Sequence, residues 1–239
     1  MMLEFYKITA LGNDFVFIPE KHDIDIVRVC RRKFGIGADG VIFYKYNSDN
    51  EIEVDFFNSD GSHAKNCGNG LRCAARLMHE EKGTSEGNII TGAGAFHFNI
   101  KQDNTVAVNM GNPQLIKTEK DYFEVDVGNL HRIYIKDNYI ESEIVEVAKN
   151  NPDYNVEFIM KQDDCYRVKV YERGVGFTMG CGTGATAIFS VLREFSDISN
   201  IKLRFDGGPL FLETSSDGII LIGEAQILFK GIFQGNWYT

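Results

Sequence analysis

Apolar and polar residues alternate along much of the first half of the chain. The runs "FVFI" at 15–18, "VIFYKY" at 41–46, "IEVDFF" at 52–57, "FHFNI" at 96–100 and "TVAVNM" at 105–110 carry this period and predict strands. The turn signals "GND", "NSD", "GAG" and "QDN" bound them. Two segments change to helical spacing. One is "DIDIVRVCRRKF" at 23–34; the other is "GNGLRCAARLMHEE" at 68–81, where Leu71, Ala74, Ala75 and Met78 form a stripe. Gly83, just past Lys82, predicts a left-handed stop to the second helix.

The second half repeats this order. After "YRVKVYERGVGFTMG" at 166–180 comes "CGTGATAIFSVLREF", in which Ala185, Ile188, Phe189 and Leu192 make another helical stripe. The strand candidates "IKLRF", "PLFLET" and "GIILIGEA" follow. The glycine-rich turn "NCGNGLRC" at 66–73 has a near-copy in "MGCGTGAT" at 179–186, and Cys67 and Cys181 stand 114 positions apart, close to half of 239. This spacing predicts an internal duplication. A boundary near "GNPQ" at 111–114 divides the chain into 1–112 and 113–227, with 228–239 as a candidate return to the first half.

Composition fits a soluble globular protein: 44% apolar residues, 25% charged, 4 prolines and no low-complexity tract. A net charge of -9 argues against nucleic acid as a partner, and the basic "RVCRRKF" at 28–34 reads as the solvated end of a helix. The N-terminal stretch has no signal-like pattern and no run approaches membrane-spanning length, so the expected location is the cytoplasm, with no membrane partner. Five cysteines without a CxxC pair suit a reducing compartment and predict no structural metal. Cys30, Cys73 and Cys165 read as small buried apolar residues. "GIGADG" at 35–40 matches a dinucleotide fingerprint by spelling alone, because it precedes a strand pattern rather than a helix.

Chemistry concentrates on the two cysteine turns. Each cysteine follows a predicted strand and loop and opens a helix, where unpaired N–H groups and the helix dipole attract carboxylate and favour a thiolate. Glycines 68, 70, 182 and 184 would let a ligand approach the backbone. One such turn suggests a nucleophile. Two equivalent turns suggest a pair acting on one carbon, a thiolate removing a proton and a thiol returning one to the opposite face, which inverts a stereocentre without a cofactor.

"LGNDF" at 11–15, "FGIGADG" at 34–40, "FNSDGSHAKNCGNGLRC" at 57–73, "YNVEF" at 154–158 and "ERGVGFTMGCGTGA" at 172–185 together resemble the diaminopimelate epimerase family, in the family's order and over almost the whole chain. The resemblance implies an α/β (α+β) fold of two pseudo-symmetric halves, each a mostly antiparallel barrel-like sheet wrapped around a central helix, with the active site in the cleft between them. It implies Cys67 and Cys181 as proton-transfer groups, His131 supporting the first and Glu172 the second. The amides around Gly68, Asn69, Gly182 and Thr183 would hold the carboxylate at the reacting carbon, near Asn13. Asn58, Asn129, Asn155 and Arg173, with Glu172, match the residues that grip the distal end of the substrate. The implied reaction is cofactor-independent interconversion of the LL and meso forms of 2,6-diaminopimelate, and because family members are often dimers a homodimer is among the expected assemblies.

Four positions depart from the family pattern: Ala10 for glycine, Leu130 for proline, Phe177 for an acidic residue and Gly180 for alanine. None removes a proposed catalytic atom, although a proline at 130 would stiffen the turn that aims Asn129 and His131. Two other readings stay open: a cofactor-independent racemase of another amino acid, and a module that binds an amino acid without turning it over. A phenazine-biosynthesis-type isomerase shares the general fold but is not expected to keep both cysteines.

Overall fold

In the computed structural model, which describes residues 2–234, sheet dominates over a few helices in a mixed α+β fold of two units. The first unit runs to Val108 and takes up the chain again at Glu224; the second is Asn109–Gly223. Residues 235–239, part of the expected return segment, lie outside the described residues.

The first unit is built from β1 (Met2–Ala10), β2 (Asn13–Pro19), α1 (Ile26–Cys30), β3 (Gly40–Ser48), β4 (Glu51–Asn58), β5 (His63–Ala64), α2 (Gly68–Lys82), β6 (Glu86–Thr91), β7 (Gly94–Ile100) and β8 (Val106–Asn109). Neighbouring strands are antiparallel except β2 with β3 and β4 with β6. A parallel pair needs a crossover, and α1 and α2 supply one each. Leu71, Cys73, Ala74, Ala75, Leu77 and Met78 are fully buried, so α2 is enclosed on all sides as a central helix is. It packs against β1, β4, β6 and β7.

The second unit holds β9 (Gln114–Thr118), β10 (Phe123–Asp126), β11 (Leu130–Ile135), α3 (Glu141–Asn150), β12 (Asn155–Gln162), β13 (Cys165–Glu172), β14 (Gly176–Phe177), α4 (Gly182–Phe195), β15 (Asn200–Phe205), β16 (Gly208–Ser215) and β17 (Gly218–Gly223). From β10 to β17 the order of strands and helices repeats that from β1 to β8, again with two parallel pairs, β11 with β12 and β13 with β15. The central helix here is α4, with Ala185, Ala187, Ile188 and Phe189 fully buried. The final strand, β18 (Gln226–Gln234), pairs antiparallel with β1, as β9 pairs with β10.

One predicted helix is much shorter than its pattern. The segment 23–34 is helical only at Ile26–Cys30, capped by the Asp25 side chain on the Arg28 N–H. The chain then folds back so tightly that a Cβ at Gly35 would lie 2.1 Å from the Arg28 carbonyl oxygen, and Gly37 takes φ +80°. Gly35 to Gly40 is therefore a loop running into β3, not the opening of a helix. At the other helix end the expectation matches: Gly83 closes α2 with φ 69°. No helix among the described residues is long and apolar enough to cross a membrane.

Candidate active site

Cys67 and Cys181 occupy the same local position in the two units. Each is the N-cap of a central helix, with extended backbone at φ -151° and -124°, and each sulfur accepts the N–H of the residue three places on. The contacts are Gly70 N–H to Cys67 Sγ at 3.4 Å and Gly184 N–H to Cys181 Sγ at 3.3 Å. Sulfur thus takes the place of the oxygen that usually caps a helix. The helix bonds begin at Leu71 and Ala185, which donate to the carbonyls of Cys67 and Cys181. Residues 68 and 69 in α2, and 182 and 183 in α4, form the first turn of each helix, where N–H groups point along the axis away from the helix.

The glycines of these turns have a packing role that spacing alone did not reveal. A Cβ at Gly70 would meet the Phe56 ring at 2.5 Å, and one at Gly184 would meet Glu157 Oε1 at 2.5 Å. Beneath the two helix starts therefore lie different groups, an aromatic ring in the first unit and a carboxylate in the second.

In the first unit, Arg72 is fully buried in α2, with Nη1 donating to Gly68 O at 3.1 Å and Nη2 to Asn69 Oδ1 at 2.7 Å. The equivalent position 114 residues on is Thr186, whose hydroxyl donates to Gly182 O at 2.9 Å. The same carbonyl is satisfied twice, once by a cation and once by a neutral group. Asn13 begins β2 after the turn formed by Leu11 at φ 56° and Gly12 at φ 77°, and its buried Oδ1 has no hydrogen-bond partner. Beside it Asp14 is bound by Lys7 at 2.7 Å and by Arg32 at 2.8 Å. Burial would raise the Asp14 carboxyl, but these two cations hold it at about 2. Asn58, at the end of β4, donates to Ser62 Oγ at 2.9 Å from an exposed position.

In the second unit, Glu172 ends β13 at the place equivalent to Asn58, again 114 residues on. Burial lifts its carboxyl above the usual range; the Thr178 hydroxyl at 2.5 Å lowers it, the Glu157 charge raises it, and His131 and Cys181 lower it. Burial, then the charges of Glu172 and Glu157, hold the Cys181 thiol well above its ordinary value, against the hydrogen bonds of Thr183 and Gly184. His131 is fully buried on β11, with Nδ1 2.7 Å from Glu157 Oε1 and Nε2 3.1 Å from Asn129 Oδ1. Asn129 Nδ2 lies 3.3 Å from Thr183 Oγ1, which in turn lies 3.3 Å from Cys181 Sγ. The turn that places Asn129 needs glycine at 128, where φ is +90°, and Asp126 Oδ1 accepts the Gly128 N–H at 2.7 Å.

Asn155 is bonded at both ends of its amide, donating to Leu130 O at 3.1 Å and accepting the Arg173 N–H at 3.0 Å. It ties β11, β12 and the end of β13 together, and holds Leu130 where the family pattern has proline. The Arg173 side chain is exposed, without an ion pair among the described residues. Phe177 lies on β14 with its ring edge-on to Tyr171 at 5.3 Å. Glu157 is the site residue that sequence reading passed over, a fully buried carboxylate on β12. Its signal was present: a glutamate inside the apolar run "NVEFI" rarely stays buried without a partner. A shallow depression lined by residues 193–198 and Thr214 lies at the other end of α4 and includes none of these groups.

A family model described as diaminopimelate epimerase matches residues 5–116 and 135–228. The unmatched stretch, 117–134, holds Asn129 and His131. Among curated relatives, the diaminopimelate epimerase of a Cyanothece species is 32% identical over 280 aligned positions, which cover 97% of this chain and 100% of the relative. Among solved structures, a predicted epimerase from Pseudomonas aeruginosa superposes with a TM-score of 0.77 at 12% identity, covering 98% of this chain and 100% of that one. A phenazine biosynthesis protein from Bacillus anthracis gives a TM-score of 0.74 at 12% identity, over 98% and 99% of the two chains. At such identities the structural likeness concerns the fold alone.

Proposed function

The chain belongs to the diaminopimelate epimerase family, and from that membership we propose that it interconverts LL- and meso-2,6-diaminopimelate, on the route to lysine and peptidoglycan precursors, with Cys67 and Cys181 as its two proton-transfer groups. The observation that carries this reading is the pair of cysteine N-caps, one on each central helix, each sulfur set beside amides that suit a carboxylate. Removal of an α-proton leaves carbanion character that spreads into the neighbouring carboxylate, and preorganised N–H groups stabilise it.

The units differ in charge where they agree in backbone, and this difference supports one choice of starting roles. Cys181 is surrounded by Glu157 and Glu172 and is held as a thiol. Cys67 opens a helix that carries the buried Arg72 guanidinium one turn on. In our reading Cys67 begins as thiolate and takes the α-proton, and Cys181 gives its S–H proton to the opposite face of the carbon. Cys67 then ends as thiol and Cys181 as thiolate, ready for the reverse direction. Because Cys181 and Glu172 interact, their titration belongs to the pair. The exposed Arg173 guanidinium supplies a fork for a second carboxylate, which a monofunctional amino acid lacks.

The test is proton NMR of LL-diaminopimelate with the reduced protein in D2O, with lysine and glutamate as controls. Loss of the α-proton signal and growth of the meso isomer, for diaminopimelate alone, is the expected result. Each of Cys67→Ser and Cys181→Ser is expected to lower turnover by roughly 10²-fold or more. Exchange with a control amino acid instead would replace this reading with that of a racemase of different specificity, and binding without exchange would leave a carrier.

A further inference from the structure

In the second unit an unbroken hydrogen-bond chain runs from a buried carboxylate to the sulfur: Glu157 Oε1, His131, Asn129, Thr183 and Cys181 Sγ, with links of 2.7, 3.1, 3.3 and 3.3 Å. The donors and acceptors along it leave little freedom. Both nitrogens of His131 face oxygens, a carboxylate on Nδ1 and an amide carbonyl on Nε2, and neither oxygen can donate. With Glu157 ionised, both contacts are hydrogen bonds only when the ring carries a proton on each nitrogen. The Asn129 amide then presents its nitrogen to Thr183 Oγ1. A hydroxyl that accepts from Asn129 has its single hydrogen left for the sulfur.

We infer that Glu157 is a positioning residue for Cys181: by keeping both protons on His131 it fixes the Asn129 amide, and through it turns the Thr183 hydrogen onto the sulfur. The inference rests on the proposed role of Cys181 as a proton-transfer group. Its use falls at the moment Cys181 has given up its proton, when the new thiolate lies near two carboxylates, Glu157 on β12 and Glu172 on β13, with His131 on β11 bonded to Glu157. Two donors face that sulfur, the Gly184 N–H and the Thr183 O–H. With a neutral His131 protonated on Nδ1 alone the chain runs the other way. Asn129 then turns its nitrogen to Nε2 and its oxygen to Thr183, whose hydrogen leaves the sulfur; the thiol proton in turn points at Thr183 Oγ1. The fully buried position of Glu157 and the space left for it by Gly184 hold the first arrangement in place.

A local electrostatic role and this relay predict opposite signs. If Glu157 acts on Cys181 through space alone, removing its charge makes the thiolate easier to form. If it acts through the chain, Glu157→Gln leaves a neutral His131 that gives Nδ1–H to the glutamine carbonyl, which removes the Thr183 donor and makes the thiolate harder to form. The experiment compares Glu157→Gln, Thr183→Val, Thr183→Ser and the Glu157→Gln/Thr183→Val pair. Two readings need no substrate: the 240 nm thiolate absorbance against pH, taken as the difference from the matching Cys181→Ala protein, and the 15N spectrum of His131. The third is turnover of diaminopimelate in D2O.

Expected are a thiolate midpoint moved upward in Glu157→Gln and Thr183→Val, a His131 spectrum changed from two N–H nitrogens to Nδ1–H alone in Glu157→Gln, and turnover lowered by about tenfold in each. The pair is expected to lose about tenfold and not about a hundredfold, since both changes cut one chain. Thr183→Ser, which returns the hydroxyl, should recover most of what Thr183→Val loses. A midpoint moved downward or unmoved in Glu157→Gln, a ring left with Nε2–H in that variant, a single N–H on the wild-type ring, or additive losses in the pair would overturn the relay. If diaminopimelate is not turned over at all, the absorbance and 15N readings still decide it.

Discussion

Gly184→Ala tests the placement of Glu157 from the opposite side. The added methyl would lie 2.5 Å from Glu157 Oε1, 3.2 Å from its carboxyl carbon and 3.3 Å from Cys181 Cβ. Ordinary carbon contacts begin near ~3.5 Å, so the overlap with the oxygen is about 1 Å. The carboxylate cannot simply withdraw, because it is fixed to His131 at 2.7 Å and both side chains are fully buried. Overpacking of this kind costs about 1–3 kcal/mol, against which Ala in place of Gly returns at most ~1 kcal/mol in a helix. The net expectation is a loss of roughly 1–2 kcal/mol, a fall in Tm of about 2–4 °C per kcal/mol for a chain of this size. The assay is a urea-unfolding cycle with Gly184→Ala, Glu157→Ala and the double variant, followed by circular dichroism. If the methyl and the carboxylate compete for one space, Gly184→Ala costs stability in the wild-type background and close to nothing once Glu157 is Ala, a coupling of at least about 1 kcal/mol. Equal cost in both backgrounds would refute the reasoning.

Two further outcomes follow from the ionisable groups. Asp14 titrates at about 2 when folded against 3.8 when free, and a depressed carboxyl contributes stability above its unfolded value that is lost as pH falls through the folded one. The stability difference between the wild type and Asp14→Asn should therefore be about 2 kcal/mol at neutral pH and shrink as pH falls from 3.8 toward 2, measured by urea midpoints; a pH-independent difference would remove the Lys7 and Arg32 bonds as its cause. Burial pushes the Cys30 thiol up to about 11 and raises Cys73 as well. Iodoacetamide at pH ~8 should leave both unmodified in the folded protein, with mass spectrometry of the peptides as the readout.

The central helices were readable because their signals are local: a residue that can cap, glycines next to it, an apolar stripe, and for α2 a left-handed glycine at the end. The duplication was readable because it preserves spacing, and the observed order of elements follows it through both units. The short α1 was not, since its pattern continues past Cys30 while the fold-back at Gly35 depends on a contact with the preceding turn. Helix α3 has Ile140 at its N-cap and no side-chain cap bond, so nothing polar marks its start. Strand β12 is buried on both faces from Asn155 to Ile159, which erases the alternation that identifies a strand. The same two-sided burial concealed Glu157. Its meaning lies in partners 26 and 27 residues away in sequence, His131 and Gly184, and those distances exist only once β11, β12 and α4 have packed.

The pairing of β18 with β1 gives the chain a connectivity close to a ring. Met2 faces Gln234 across that ladder, so the ends of the described chain are neighbours. Under the duplication the gap between β18 and β1 corresponds to the turn between β9 and β10, where Glu119 N–H bonds Tyr122 O at 2.9 Å. A circularly permuted protein, joined by a linker from Gln234 to Met2 and opened at 119–122, would begin at β10 and finish at β9, keeping both cysteine turns and the strand pairs of β1 with β18 and β9 with β10. The turn at 119–122 and the gap between β18 and β1 are equivalent places at which such a ring can be cut.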